Sequence, residues 1–304
     1  MSGMTGQEQR MAGIGNGAER IGLRAAGRLR RGGNAAERTL FALLVALALI
    51  FLLLPIVWMI ITAFKPNSEA MSLPPKLLFT PVLDNFKTVL SNPGFLGSFL
   101  NSAVIAVLTT LLTLFCSSTS SYALTRFRLV GANTLSTLIL ISRMIPAIVL
   151  GLPLYIIART FGLLDTYFIM VIAITTFALP FQIWLLLGFF AQIPKALDES
   201  ALIDGCSWYS AFLRVILPIA APGLAATAIM TFLFSYNDFF FSLILTGKNI
   251  KTAPLAVMEY MGLRTFDWGA IMATGVLLAI PTLFIGIVFQ RFMIQGMTAG
   301  AVKG

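Results

Sequence analysis

Six long apolar runs constrain this chain more than any other feature of its sequence. A helix needs roughly 20 predominantly apolar residues to cross a bilayer core of about 30 Å, because each residue adds about 1.5 Å. The runs that meet this requirement are residues 39–64, 96–122, 135–157, 167–190, 222–246 and 269–292. Since they are continuous rather than alternating, they predict six transmembrane helices and an all-α integral membrane fold.

The composition supports a membrane protein. Hydrophobic residues make up 58% of the 304 residues and charged residues only 11%, against about 25% charged in a typical soluble domain. A soluble protein of this size would have too little polar surface to face water. A bilayer removes the problem because it is itself an apolar solvent.

The basic charge is concentrated ahead of the first apolar run. Residues 1–38 contain seven arginines in a Gly- and Ala-rich segment, and the positive-inside rule places such a segment in the cytoplasm. Six spans return the C-terminus to the same side. We therefore predict a multi-pass membrane protein, with a flexible cytoplasmic segment at 1–38, a transmembrane domain at 39–304 and both termini cytoplasmic.

Several classes of chemistry are disfavoured by the residues that are missing. The chain has no histidine, which is the usual general base and metal ligand. Cys116 and Cys206 form no metal-type spacing and are expected to be free thiols. The phosphate-binding motif Gly-x-x-x-x-Gly-Lys-Ser/Thr does not occur. We expect no metal, no bound cofactor, no nucleic-acid partner and no enzymatic activity.

The connection between the fourth and fifth runs, residues 191–221, has its own structure. It is far longer than the roughly 2–8 residues usual between helices of a bundle. Asp198 and Glu199 suit the first turn of a short helix, and the pair Asp204-Gly205 ends that helix and turns the chain. A second short helix at about 207–216 stops near Pro218. The pattern predicts a helical hairpin that projects into the cytoplasm.

The same connection resembles the signature loop of ATP-binding-cassette (ABC) importer permeases, which reads Glu-Ala-Ala, three residues, Gly, nine residues and Ile-x-Leu-Pro. Here the corresponding residues are Glu199-Ser200-Ala201, Gly205 and Val215-Ile216-Leu217-Pro218, at the same spacing. Only Ser200 and Val215 depart from the pattern, both conservatively. The resemblance implies a type I, MetI-like permease of the bacterial inner membrane, whose coupling helix docks into an ATPase subunit. The residues that it assigns to coupling are Glu199, Ser200, Ala201, Asp204, Gly205, Leu217 and Pro218.

Further stretches are similar to carbohydrate-uptake permeases, specifically to the smaller, maltose-permease-like subunit. They are residues 143–146, 162–166, 179–181 with Trp184, 235–239 and 296–304. The resemblance implies uptake of a sugar or related polyol by alternating access. It also implies a second, different permease subunit, two ATPase subunits that use ATP with Mg, and an extracytoplasmic solute-binding protein. Lys303 in the C-terminal tail is expected to reach toward the ATPase pair.

Polar and aromatic side chains in the fifth run are candidates for the substrate cavity. They are Tyr236, Asn237, Asp238 and Phe240. Sugars suit such a site, because aromatic faces pack against C–H surfaces while amides and carboxylates bind hydroxyl groups. Interhelical hydrogen bonding with aromatic packing explains the same residues equally well.

Two charges lie clearly inside predicted spans. Arg143 is about 12 Å and Asp238 about 24 Å from the cytoplasmic end of its own span, at about 1.5 Å per residue. These depths argue against an ion pair between them. Kinks are predicted near prolines within spans, namely Pro55, Pro146, Pro153, Pro180 and Pro281.

Two alternatives to a sugar permease remain open at this point. The same architecture serves other cargoes, such as glycerol phosphodiesters, amino acids or peptides. An ion-coupled secondary transporter is disfavoured, because the chain lacks histidine and shows no evident inverted repeat.

Overall fold

The computed structural model describes residues 35–262 and 266–298, with side chains over 37–262 and 266–290. Lys303 lies outside these ranges. The chain divides into two compact units, Met1–Trp58 and Met59–Gly304. Within the described ranges the regular structure is helical, apart from one isolated bridge between Met261 and Phe266.

Fourteen α-helices occur within the described residues. In chain order they are α1 Ala35–Ala63, α2 Asn67–Ala70, α3 Asp84–Leu90, α4 Pro93–Arg126, α5 Ala132–Ser142, α6 Ala147–Thr160, α7 Tyr167–Gln192, α8 Ala196–Ile203, α9 Trp208–Ala211, α10 Leu217–Ile219, α11 Ala221–Tyr236, α12 Phe240–Leu245, α13 Ala253–Ala256 and α14 Trp268–Thr298. A turn of π-helix, Phe212–Ile216, joins α9 to α10, and a 3-10 turn, Val257–Tyr260, follows α13.

Four of these helices are long and apolar enough to cross a bilayer. They are α1, α4, α7 and α14, measured over the residues that the structure describes. Two bent pairs of helices also pass the test, and counting each pair as one span raises the number to six. The predicted all-α membrane fold is confirmed, and the described residues form at most six membrane spans.

The run predicted as one helix at 135–157 is two helices. The axes of α5 and α6 differ by 88° across the four residues that separate them. Pro146 explains the break, because it has no N–H to donate and disfavours helical geometry at the residue before it. The other prolines predicted to cause kinks, Pro55, Pro153, Pro180 and Pro281, lie inside continuous helices.

The run predicted at 222–246 is also interrupted. Helix α11 ends at Tyr236, and α12 begins at Phe240. Between them Asp238 Oδ2 accepts a hydrogen bond from the backbone N–H of Ser242 at 3.1 Å. Because this N–H lies in the first turn of α12, where it has no partner within the helix, the carboxylate fixes the start of the new helix.

Small hydroxyl side chains allow the long helices of the second unit to pack closely. Helix α4 packs against α7 and α11. Its buried serines and threonines are Ser98, Ser102, Thr109, Thr110, Thr113, Ser117, Ser118 and Ser121. Without a hydrophobic driving force in lipid, small side chains that let backbones approach stabilise helix pairs. Ser121 adds a direct link, since its hydroxyl donates to the carbonyl of Ile183 in α7 at 2.9 Å.

Asp165 fastens together two loops at the end of the bundle where α7 begins. Its carboxylate accepts backbone hydrogen bonds from Gly247, Asn249 and Ile250 at 2.8 to 2.9 Å. Its own N–H donates to the carbonyl of Leu245 at 2.9 Å. Burial alone would raise the pKa of this carboxyl group. The backbone hydrogen bonds outweigh burial, so the pKa of Asp165 lies below its ordinary value.

Replacing Asp165 by asparagine tests this anchor. The residue has φ of 60°, and asparagine tolerates this conformation, so Asp165→Asn removes the charge without adding backbone strain. We expect the free energy of unfolding to fall by roughly 1–2 kcal/mol near pH 7, because hydrogen bonds to a charged group are stronger than those to a neutral one. Thermal unfolding in lipid nanodiscs measures it.

The same variant carries a pH signature. Because the folded-state pKa is depressed, the carboxylate stabilises fully above the unfolded value of about 3.9 and loses that effect as pH falls through the folded value. The gap in unfolding temperature between wild type and Asp165→Asn should therefore shrink as the buffer is acidified. A gap that stays constant with pH would contradict the role of the charge.

Candidate functional site

The turn of the predicted hairpin is built around Gly205. Its φ is +89°, which favours glycine, while a Cβ there would meet no atom within 4 Å. The N–H of Gly205 donates to Leu202 O at 3.1 Å and that of Cys206 to Ala201 O at 2.9 Å. This pair of bonds is a Schellman motif, which closes the end of α8. The turn therefore lies at Asp204-Gly205, as predicted from the sequence.

The second helix of the hairpin runs further than predicted. Ser207 caps it, since its hydroxyl accepts from the N–H of Ser210 at 3.2 Å. Helical structure continues through α9, the π-turn and α10 to Ile219, past the predicted stop near Pro218. Proline has no N–H for the carbonyl of Arg214 and would clash with it in a regular helix. The wider π-turn just before Pro218 relieves this conflict.

The hairpin presents an exposed outer face. We use this name for Glu199, Ser200, Ile203, Asp204 and Gly205, all of which are exposed. Ile203 is 86% exposed and Tyr209, beyond the turn, is 72% exposed. Of the other residues assigned to coupling, Ala201 is buried, Leu217 is half-buried and Pro218 is exposed. The outer face therefore combines one largely exposed apolar side chain, Ile203, with the carboxylates of Glu199 and Asp204 next to a tightly closed turn.

The opposite side of α8 carries a buried ion pair. Asp198 is only 2% exposed. Its Oδ2 lies 2.7 Å from Nε of Arg126, and its Oδ1 accepts a hydrogen bond from the hydroxyl of Tyr122 at 2.7 Å. We call Tyr122, Arg126 and Asp198 the anchor cluster. Arg126 also donates through Nη2 to the carbonyl of Ile193 at 3.0 Å, so it holds the start of the hairpin as well.

Aromatic packing surrounds the anchor cluster. The ring of Tyr122 lies 4.7 Å from that of Phe212 and 6.1 Å from that of Phe190, between centroids. The buried apolar group around it comprises Leu186, Phe190, Ile193, Phe212, Ile216 and Ala220. Both helices of the hairpin are therefore attached to the last turn of α4.

The sequence prediction missed this attachment. It assigned Asp198 only to the first turn of a helix and did not single out Tyr122 or Arg126. The available signal is that Tyr122 and Arg126 are four residues apart, on one face of the end of a helix, and that Asp198 is spaced three residues from the apolar Ala201.

The candidate cavity residues lie at the break between α11 and α12, in different environments. Tyr236 is buried, and its hydroxyl has no hydrogen-bond partner among the described residues. Asn237 is exposed, and its amide donates to Leu233 O at 2.8 Å. Asp238 lies two residues before α12 and caps its first turn through the N–H of Ser242. The Phe240 ring lies against Gly151 so closely that a Cβ there would be 2.8 Å from it.

Arg143 lies at the other break, between α5 and α6. Its Nη1 donates to the backbone carbonyl of Phe177 at 3.0 Å. The central carbon of its guanidinium lies 4.0 Å from the centroid of the Phe177 ring and 5.5 Å from the centroid of the Phe234 ring. A cation stacked on aromatic faces is stabilised in a poorly solvated setting. Arg143 and Asp238 form no ion pair in the described structure, as their predicted depths indicated.

Known proteins resemble this chain over most of its length. Residues 117–299 match the family described as "Binding-protein-dependent transport system inner membrane component". The trehalose transport system permease protein SugB of Mycobacterium tuberculosis is 35% identical over 89% of this chain and 100% of its own. The trehalose/maltose permease protein MalG of Thermococcus litoralis is 34% identical, with 88% and 98% covered. The diacetylchitobiose permease protein DasC of Streptomyces coelicolor is 34% identical, with 83% and 92% covered.

Solved structures support the same fold. A chain of a bacterial ABC transporter for import of the acidic polysaccharide alginate superposes with a TM-score of 0.69 at 21% identity, covering 85% of this chain and 98% of that one. The family match spans more than half of the present chain. The chain therefore belongs to the family of binding-protein-dependent transport system inner membrane components, as a permease subunit of an ABC importer.

Proposed function

We propose that this chain forms one half of the pathway by which a sugar or related polyol crosses the bacterial inner membrane. The hairpin docks onto a separate ATPase subunit, which binds and hydrolyses ATP with Mg, while this chain binds no cofactor. The proposal rests mainly on the outer face. Its turn is closed at Gly205, and the anchor cluster attaches the opposite side of α8 to α4.

The chemistry of the outer face suits insertion into a cleft. Ile203 supplies an apolar anchor at the tip, and Glu199 and Asp204 flank it with negative charge that a basic rim would complement. Gly205 keeps the tip narrow, because it adds no side chain where the surrounding space is open. Ser200 adds a small polar contact, and Leu217 and Pro218 shape the base of the hairpin.

The orientation and the further partners follow from the charge pattern and the family. The arginine-rich segment before α1 favours a cytoplasmic N-terminus, which puts the hairpin in the cytoplasm and the Asp165 anchor outside. The other proposed partners are a second, different permease subunit and an extracytoplasmic solute-binding protein. The C-terminus is proposed to be cytoplasmic too, with Lys303 directed toward the ATPase pair.

A saccharide cargo is supported by the relatives. Three of them are named for trehalose, trehalose/maltose and diacetylchitobiose, all of which are neutral and rich in hydroxyl groups. Tyr236, Asn237, Asp238 and Phe240 remain the proposed cavity residues. Asn237 is the best placed of them, because its amide is exposed at a break in a span, where irregular backbone is tolerated if it lines a cavity.

The docking proposal is tested by Gly205→Glu. The new side chain would project from the tip into the space that the ATPase cleft must fill, so we expect loss of ATPase co-purification with normal insertion of the permease. Gly162→Glu is a matched control: Gly162 also has positive φ, +65°, and open surroundings, but lies near the Asp165 anchor. Both variants carry a similar backbone strain of about 1–2 kcal/mol. Equal retention of the ATPase by both would refute the docking role.

The cargo is tested on the solute-binding protein that works with this permease. Thermal shifts are measured with mono- and oligosaccharides, polyols, glycerol phosphodiesters and amino acids, since a bound ligand raises the unfolding temperature. We expect a selective shift with a saccharide or polyol, followed by ATP-dependent uptake of that compound in proteoliposomes. A shift with amino acids or glycerol phosphodiesters alone would overturn the sugar assignment and leave the docking hairpin unaffected.

A further inference from the structure

The anchor cluster has a function that docking alone does not require. We propose that Tyr122, Arg126 and Asp198 are positioning residues that make the hairpin and helix α4 move as one body, so that displacement of the hairpin turns the span. This inference rests on the proposed docking of the hairpin to an ATPase. It concerns what happens after docking, namely how the movement reaches the membrane.

Docking to the ATPase and attachment to α4 use opposite faces of one short helix, α8. In α8 the exposed Glu199 and Ser200 belong to the outer face, whereas the adjacent Asp198 points inward and is buried. Any force applied to the outer face therefore acts directly on a carboxylate that is bonded to α4. No flexible linker intervenes between the docking surface and the anchor.

Three segments converge on one turn of α4. Arg126 reaches Asp198 in α8 and the carbonyl of Ile193 just after α7. Tyr122, four residues earlier, bonds Asp198 and packs against Phe212 of the second hairpin helix. The hairpin is thus held at its entry and in both of its helices, and a rotation about any single contact would break another.

A buried ion pair at this position is better explained by the transmission of movement from the hairpin to α4 than by a gain in stability. Removing an arginine and a carboxylate from water is costly, and an apolar pair of similar volume often stabilises a protein equally well. Apolar side chains can slide against one another, however. The ion pair between Arg126 Nε and Asp198 Oδ2 constrains distance, and the hydrogen bonds from Tyr122 to Asp198 and from Arg126 Nη2 to the carbonyl of Ile193 constrain both distance and angle. A contact that transmits movement benefits from that constraint.

The central test replaces the ion pair by apolar side chains. The double variant Arg126→Met/Asp198→Val replaces the ion pair by apolar side chains of similar total volume and removes the directional hydrogen bonds. In the complete complex in nanodiscs, we expect normal ATPase retention and an unfolding temperature only a few degrees below that of wild type, because the buried Tyr122 hydroxyl loses its acceptor. Transport per ATP hydrolysed should fall about tenfold or more, within the range typical of coupling between sites. Tyr122→Phe, which keeps the ring and loses one bond, should give a smaller reduction.

Asp165→Asn is the matched control, because it also neutralises a hydrogen-bonded aspartate but away from the hairpin. It should lower thermal stability without changing transport per ATP. The single variant Asp198→Asn leaves the buried Arg126 without a counter-charge. It should therefore be more damaging to folding than the double variant, which separates a cost in stability from a loss of transmission.

A distance measurement addresses movement directly. Spin labels are introduced by Arg214→Cys in the second part of the hairpin, outside the outer face, and by Arg128→Cys beyond α4, both exposed positions, with Cys116 and Cys206 replaced by serine. With the ion pair intact, we expect the same narrow distance distribution with and without ATP. In the double variant the distribution should broaden or shift on ATP binding.

Two results would overturn the inference. One is wild-type transport per ATP in the double variant. The other is loss of ATPase retention in proportion to the loss of transport, which would mean that the cluster only shapes the docking surface. Neither result bears on Gly205→Glu, whose failure to release the ATPase would refute the docking proposal itself, so the two hypotheses fail separately.

Discussion

The ion pair between Arg126 and Asp198 determines where the hairpin stands relative to the membrane helices. Both side chains are almost completely buried. Within the part of the chain that the structure describes, their charges are stabilised by each other, by Tyr122 and by the carbonyl of Ile193. Because the alternatives for either charge are poor, the connection 193–207 has one arrangement rather than many. The outer face depends on that placement for its position relative to α4, whereas the turn at Gly205 and the π-turn before Pro218 form by local chemistry.

Much of the fold was predictable because lipid imposes a simple rule. Backbone groups must be bonded internally, so long apolar runs become helices, and α1, α4, α7 and α14 lie close to four of the predicted runs. The breaks were harder to predict. Pro55, Pro153, Pro180 and Pro281 sit in continuous helices, whereas Pro146 marks an 88° bend. Whether a proline interrupts a helix depends on its three-dimensional neighbours, which the spacing of residues along the sequence does not contain.

The candidate site likewise contains some features that were predictable from the sequence and others that were not. The turn at Gly205 and the helices on either side follow from local chemistry, a left-handed glycine and capping residues, and were predicted from spacing. The anchor cluster joins residues 72 apart in sequence, Arg126 and Asp198, and no local rule pairs them. The interruption after Tyr236 was missed for a related reason. Asn237 and Asp238 look like polar residues within a span, and their effect on the backbone depends on Ser242.

Photo-crosslinking tests most directly the claim that the outer face is the ATPase docking surface. A photoreactive residue is placed at Ile203, which is 86% exposed, and in a parallel variant at Leu78, which is 94% exposed in the loop between α2 and α3. In membranes containing the assembled transporter, the account predicts an adduct with the ATPase subunit from position 203 and none from position 78. An assembled, transport-active complex that gives no ATPase adduct from position 203, or gives one from position 78, would contradict it.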